Sequence, residues 1–175
     1  MVAELPECAD EMNANYDAFV EIVDEFDVAI QEAFDTIPED QRKLVTYHDA
    51  YAYFADTYGW NVIGAVQPAD FGDPTPADVV NLIEQIEAEE VPAVFGSEVF
   101  PSPVLEQIAQ ETGAVYVDDL RDDDLPDAPG DENHSWLGLM KFNFITMTEA
   151  LGGDASALVV FEVRNTVPDN AFYPQ

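Results

Sequence analysis

A chain of 175 residues can bury one core and little more, and 47% apolar against 24% charged residues is a globular composition, not a disordered one. Five Lys plus Arg stand against 37 Asp plus Glu, a formal net charge of −32, and a field of that sign excludes nucleic acid and anionic membrane surfaces as direct partners. The single cysteine, Cys8, excludes an internal disulfide, no apolar run approaches the ~20 residues of a membrane span, and the opening Met1-Val2-Ala3-Glu4 does not read as a signal peptide.

Apolar residues at Tyr16, Phe19, Val20, Val23, Phe26, Ile30 and Phe34 recur every three or four positions. They predict one amphipathic helix over residues 12–36, roughly 37 Å long at 1.5 Å per residue, closed by Pro38. Strands and helices then alternate. Lys43 to Tyr47 reads as a strand, Asp49 to Tyr58 as a helix ending at Gly59, and Val62 to Val66 as a second strand. A loop from Gln67 to Pro74 leads into Thr75-Pro76-Ala77-Asp78, a helix start with Thr as cap and Pro in the first turn. Val79, Leu82, Ile83 and Ile86 form the buried face of that helix.

Val91 to Phe95 is the third strand, Pro101 to Thr112 the next helix, stopped at Gly113, and Ala114 to Val117 the fourth strand. An acidic loop, Asp118 to Glu132, precedes a last helix from about His134 to Leu151, ended by Gly152-Gly153. Leu158 to Val163 reads as a short edge strand and the rest as irregular tail. The alternation implies right-handed crossovers. The expected fold is therefore α/β: a three-layer lobe around a four-stranded parallel sheet, preceded by one long helix.

Ligands of an open parallel sheet sit outside the carboxyl ends of its strands, which selects the loops at Thr46–Asp49, Gly96–Pro101 and Asp118–Asp124. His48 follows the first strand at the expected beginning of a helix, where the dipole favours the neutral imidazole that a metal needs. The competing role is a cap or a packed ring. Asp122-Asp123-Asp124 follows the fourth strand on the same edge, and by itself such a run is first of all a solvated loop. An imidazole and a carboxylate converging there can share a divalent ion. No Gly-rich phosphate loop occurs, Ser97 and Ser102 have no defensible His and Asp partners, and His134 reads as a surface or capping residue, so an enzyme is not expected.

At this point the residues resemble a known family. Arg42-Lys43-Leu44-Val45-Thr46-Tyr47-His48-Asp49-Ala50-Tyr51-Ala52-Tyr53-Phe54 with Tyr58-Gly59 is similar to the opening of the second lobe of the zinc- and manganese-binding proteins of ABC importers. Phe95-Gly96-Ser97-Glu98-Val99-Phe100-Pro101-Ser102-Pro103, Glu111-Thr112-Gly113 and Leu139-Met140-Lys141-Phe142-Asn143 continue the likeness, which runs from about residue 12 to 157. With only Lys43 and Lys141 as lysines, the chain looks like an acidic, haloarchaeal-like version, suited to salt that screens self-repulsion.

The resemblance implies residues 1–41 as a connecting backbone helix, 42–157 as the carboxy-terminal metal-binding lobe and 158–175 as a tail outside the likeness. It implies a periplasmic or cell-surface protein that holds Zn²⁺ or Mn²⁺ as transported ligand between two lobes and delivers it to an ABC permease subunit. By the resemblance the metal ligands of this lobe are His48 and one Asp, Asp123 by the following Asp–Leu step or else Asp122, while Glu98 supports the fold. The first lobe of the same protein and its imidazoles are missing from this sequence, so metal is expected to be weakly bound or absent in this chain alone. The exposed edge is expected to be apolar at Tyr47, Tyr51, Val99, Phe100 and Trp136. Such a patch favours either a homodimer or burial beneath the tail residues Val159, Val160, Phe161 and Phe172. The alternative is a stand-alone acidic α/β interaction module that has lost metal transport.

Overall fold

The computed structural model describes residues 3–67, 74–98, 102–122 and 124–167. Its first long element is α1, Ala9–Phe34, an unbroken helix of 26 residues. The order then runs β1 (Lys43–His48), α2 (Ala52–Tyr58), β2 (Asn61–Gln67), α3 (Pro76–Ala88), β3 (Ala93–Ser97), α4 (Pro103–Thr112), β4 (Val115–Leu120), α5 (Trp136–Ala150) and α6 (Ser156–Val160). The four strands form one parallel sheet in the order β2-β1-β3-β4. The expected α/β architecture is the observed one.

Two hydrophobic cores flank the sheet, and successive strand residues divide between them as the pleat requires. Leu44, Ala93, Phe95 and Val117 face a core with Phe26, Ile30, Phe34, Phe144 and Leu158. Val45, Val66 and Val94 face the other, with Leu82 and Ile86 of α3 and Leu105 and Ile108 of α4. Near α2, Phe34 lies 4.8 Å from Trp60 and 5.2 Å from Tyr58 by ring centroids. The Tyr58 hydroxyl donates to Asp27 at 2.8 Å, tying α2 to α1.

Local chemistry sets the element ends. The Thr75 side chain accepts from the Asp78 amide while the Asp78 carboxylate accepts from Thr75, a reciprocal cap with Pro76 in the first turn. Gly59 and Gly113 close α2 and α4 at φ of 68° and 77°, in the left-handed region that glycine adopts without strain.

Several expected boundaries move. The third strand begins at Ala93 because the Val91 amide is used by Ile86 O and Pro92 has no N–H to give a ladder. α4 begins at Pro103, where the Ser102 side chain accepts from the Leu105 amide. β4 carries on through Asp118 and Asp119 to buried Leu120, whose carbonyl accepts from the Glu98 amide at 3.1 Å.

Two expectations about packing are corrected. The apolar stripe of α1 is buried only from Ile22 onward; Tyr16 stays 67% exposed and Phe19 is exposed too. The buried residues all lie in its carboxy-terminal half, from Ile22 to Phe34, and its neighbours there are the helices α5 and α6. Leu158–Val163 is not an edge strand: Ser156–Val160 is helical, the Asp154 carboxylate accepts from the Ser156 amide, and the Lys141 Nζ takes up the carbonyls of Val159 and Phe161. The segment packs on α1 and α5, not on the edge that carries His48, through buried Leu158 and Val163 and through Phe161, 4.8 Å from Phe26, while Val159 and Val160 stay exposed. Phe172 lies outside the described residues.

Candidate metal centre

The order β2-β1-β3-β4 reverses direction between β1 and β3, since the chain leaves β1 towards one side and β3 towards the other. That reversal opens a crevice at the carboxyl ends of the two central strands. A cleft of about 250 Å³ lies there, and its lining includes His48 from the end of β1, Ser97 from the end of β3 and Asp122 just past β4. Tyr47 and Tyr51 give it aromatic walls.

His48 is the last residue of β1 and is half-buried. Its carbonyl accepts from the Thr46 hydroxyl at 2.7 Å and from the Ala50 amide at 3.1 Å, which pins the turn that presents the imidazole. The ring meets Tyr47 edge to face, with centroids 4.6 Å apart. The expected place of His48 at a helix start is corrected: α2 begins only at Ala52, with Tyr51 at its cap. The orientation of His48 therefore comes from strand and turn, and the helix-dipole argument does not carry over, because that effect fades within the first turn.

Asp122 is exposed and lies two residues past the end of β4. The residue between, Arg121, has both backbone groups held by the Asn143 side chain of α5: its N–H donates to Oδ1 at 2.8 Å and its carbonyl accepts from Nδ2 at 2.8 Å. The Arg121 guanidinium rests over the Phe142 ring, 5.0 Å from the centroid. Sequence reasoning gave Asn143 no role beyond its place in a motif. Nothing local signals the clamp, because its partner is 22 residues away. Asp123, the first-choice ligand, lies outside the described residues.

Electrostatics ties the cleft together. Burial pushes the Tyr51 phenol up to about 12, and the negative charge of Asp122 pushes the same way. The Glu98 carboxyl is raised by burial, opposed by the amides of Glu98 and Asp122, and raised again by the Asp122 charge. Both Glu98 carboxyl oxygens are shielded from solvent without a well-aligned hydrogen-bond partner among the described residues. They do not line the cleft. His134 is 8% exposed rather than at the surface, in the turn ahead of α5, where its amide donates to Asp131 O.

The structure brings His48 and Asp122 to one cleft, and among the described residues no group of three or more His, Cys, Asp or Glu side chains converges as a metal site. Two protein donors fall short of the four of a closed Zn²⁺ site. Of the apolar residues expected at this edge, Trp136 is 50% exposed, Tyr47 and Tyr51 are half-buried, and Val99 and Phe100 lie outside the described residues.

Known proteins share this arrangement of elements. The family model described as ZnuA, zinc-uptake complex component A, periplasmic, matches residues 1–150. The manganese-binding lipoprotein MntA of Halalkalibacterium halodurans is 25% identical over 154 residues, which cover 86% of this chain and 50% of that protein. The zinc-binding protein TroA of Treponema pallidum is 27% identical over 151 residues, covering 84% and 49%. The solved structure of periplasmic zinc-binding TroA superposes with a TM-score of 0.75 at 26% identity, covering 86% of this chain and 56% of that one. A Mn-bound periplasmic metal-binding protein from Candidatus Liberibacter asiaticus, solved as a point mutant, shares the fold with a TM-score of 0.74 at 21% identity, covering 86% of this chain and 55% of that one. The chain spans about half the length of the curated relatives it matches.

Proposed function

The chain belongs to the ZnuA family, the periplasmic A component of zinc-uptake complexes, and we propose that it is the second, metal-holding lobe of the substrate-binding component of an ABC importer for Zn²⁺ or Mn²⁺. The observation that carries this reading is the convergence of His48 and Asp122 on one cleft at the crevice between β1 and β3. The ion is the cargo, and the protein catalyses nothing. His48 supplies an imidazole, and an aspartate of the loop after β4, Asp122 or Asp123, supplies a carboxylate. An imidazole donor favours Zn²⁺, since Mn²⁺ prefers more oxygen.

In this reading residues 1–41 are the connecting helix and 42–157 the lobe. The remaining ligands come from a first lobe of the same protein, and capture of the ion between lobes precedes docking on a permease subunit. The relatives described as lipoproteins and as periplasmic support a site of action outside the cytoplasmic membrane. The −32 net charge supports a high-salt setting in which counter-ions screen the carboxylates.

Calorimetric titration with Zn²⁺ in high salt tests the proposal, with His48→Ala as control. The expected result is weak one-to-one binding by this chain, lost in the control and strengthened when a first lobe is supplied. Binding of Zn²⁺ that is indifferent to His48→Ala, or none even with a first lobe present, would overturn it.

A further inference from the structure

Residues 154–165 lie beyond the stretch matched by the family model, supply no ligand in the metal reading, and run back along the lobe between α1 and α5. We infer that this segment is a strap that positions the loop between β4 and α5, and, resting on the metal reading above, that it thereby strengthens the grip of this edge on a cation.

The strap starts at the end of the lobe opposite the cleft, where the Asp154 amide donates to the Thr36 hydroxyl at 2.6 Å just past α1. It ends at Asn165, whose Nδ2 donates to the carbonyl of Glu132 at 3.2 Å, within the loop that carries Asp122 at its other end. In between it is anchored by apolar contact: Leu158 is 0% exposed, Val163 4%, and Phe161 packs on Phe26.

Its polar anchors draw on the scarcest residues in the sequence. Only five Lys and Arg stand against 37 acids, yet Lys141 and Arg164 both serve this segment. The Lys141 Nζ donates to Val159 O at 3.1 Å and Phe161 O at 2.7 Å, and Glu132 of the loop acts on the same ammonium, opposing the downward pull of burial on its pKa. Arg164 pairs with Glu25 of α1. Lys141 thus fastens the strap to α5.

The consequence for binding is entropic. Among the described residues of 121–135 there is no helix or strand; Asn143 fixes one end at Arg121 and the Ser135 cap of α5 fixes the other. Left with local turns alone, such a loop would lose conformational freedom when its carboxylate engages an ion, and that loss weakens binding. Fastening Glu132 beforehand removes part of it.

Hydrogen–deuterium exchange on the full chain in high salt tests the strap, using Asn165→Ala, which leaves the apolar anchors in place, and Lys141→Met, with Lys141→Arg as the conservative variant. Amides of residues 127–135 are expected to exchange about tenfold faster in Asn165→Ala and in Lys141→Met, with β1 and β3 unchanged and Lys141→Arg close to wild type. Zn²⁺ affinity is expected to fall severalfold in the same two variants. Unchanged exchange in 127–135, or faster exchange spread evenly over the sheet, would show that the segment only completes the core and would overturn the inference. Loop exchange decides the strap whether or not wild-type chain binds Zn²⁺, and wild-type Zn²⁺ binding decides the metal reading whether or not the loop responds.

Discussion

Asn143 holds Arg121 at both backbone groups, accepting from its N–H and donating to its carbonyl, each at 2.8 Å. A helix side chain thereby does the work of a neighbouring strand at the point where β4 has run out of partners, and it fixes where the next residue, Asp122, leaves the sheet. Asn143→Ala is expected to destabilise the fold by about 1–3 kcal/mol, since it strands a donor and an acceptor in a part-buried place. Asn143→Asp is expected to recover little of this, because it turns a carboxylate oxygen towards the Arg121 carbonyl. Chemical denaturation of the two variants in high salt checks the ranking.

The Tyr51 phenol makes stability fall at alkaline pH. Its folded pKa of about 12 lies above the ordinary value of 10.0, so its contribution is whole below pH 10 and is lost as pH rises from 10 towards 12. Over that window the loss is about 1.4 kcal/mol per pH unit. Tyr51→Phe is expected to flatten this part of the stability profile, measured by denaturant unfolding across the range. An unchanged alkaline slope would place the phenol in contact with solvent.

Gly138 sits in the first turn of α5, where a Cβ would come within 2.0 Å of the Asn133 carbonyl oxygen. That obstacle is backbone, so it cannot swing aside. Gly138→Ala is expected to cost about 1–3 kcal/mol, in the range of overpacked sites, and to shift the turn that carries His134. The unfolding midpoint checks the first effect, and the His134 ring resonances in NMR spectra check the second.

Lowering salt is expected to loosen the fold. The Debye length grows from ~3 Å at 1 M to ~10 Å at 0.1 M, so carboxylates that ignore one another in brine begin to repel. With a net charge of −32, the thermal midpoint should drop steadily across that range. A midpoint that stays constant would show that the acidity has no bearing on stability.

The sequence by itself determined the layers. Alternating apolar runs, Pro and Gly punctuation and the Thr75–Asp78 cap are local signals, read within a few residues, and they sufficed for the order of elements, the parallel sheet and the loops at its carboxyl edge. They also brought out His48 and the Asp122–Asp124 run, because position after a strand is itself a local property. What tertiary structure decided was everything that depends on a distant partner. Whether the stripe of α1 is covered depends on which distant elements pack against it, here α5 and α6, so Tyr16 and Phe26 read alike and end differently. Leu158–Val163 has the composition of a strand, but the groove between α1 and α5 and the Lys141 ammonium make a short helix and a strap of it. The Asn143–Arg121 clamp is invisible for the same reason: a hydrogen bond between residues 22 apart exists only once the chain has closed around its core, where an unpaired backbone group must find whatever partner packing brings within reach.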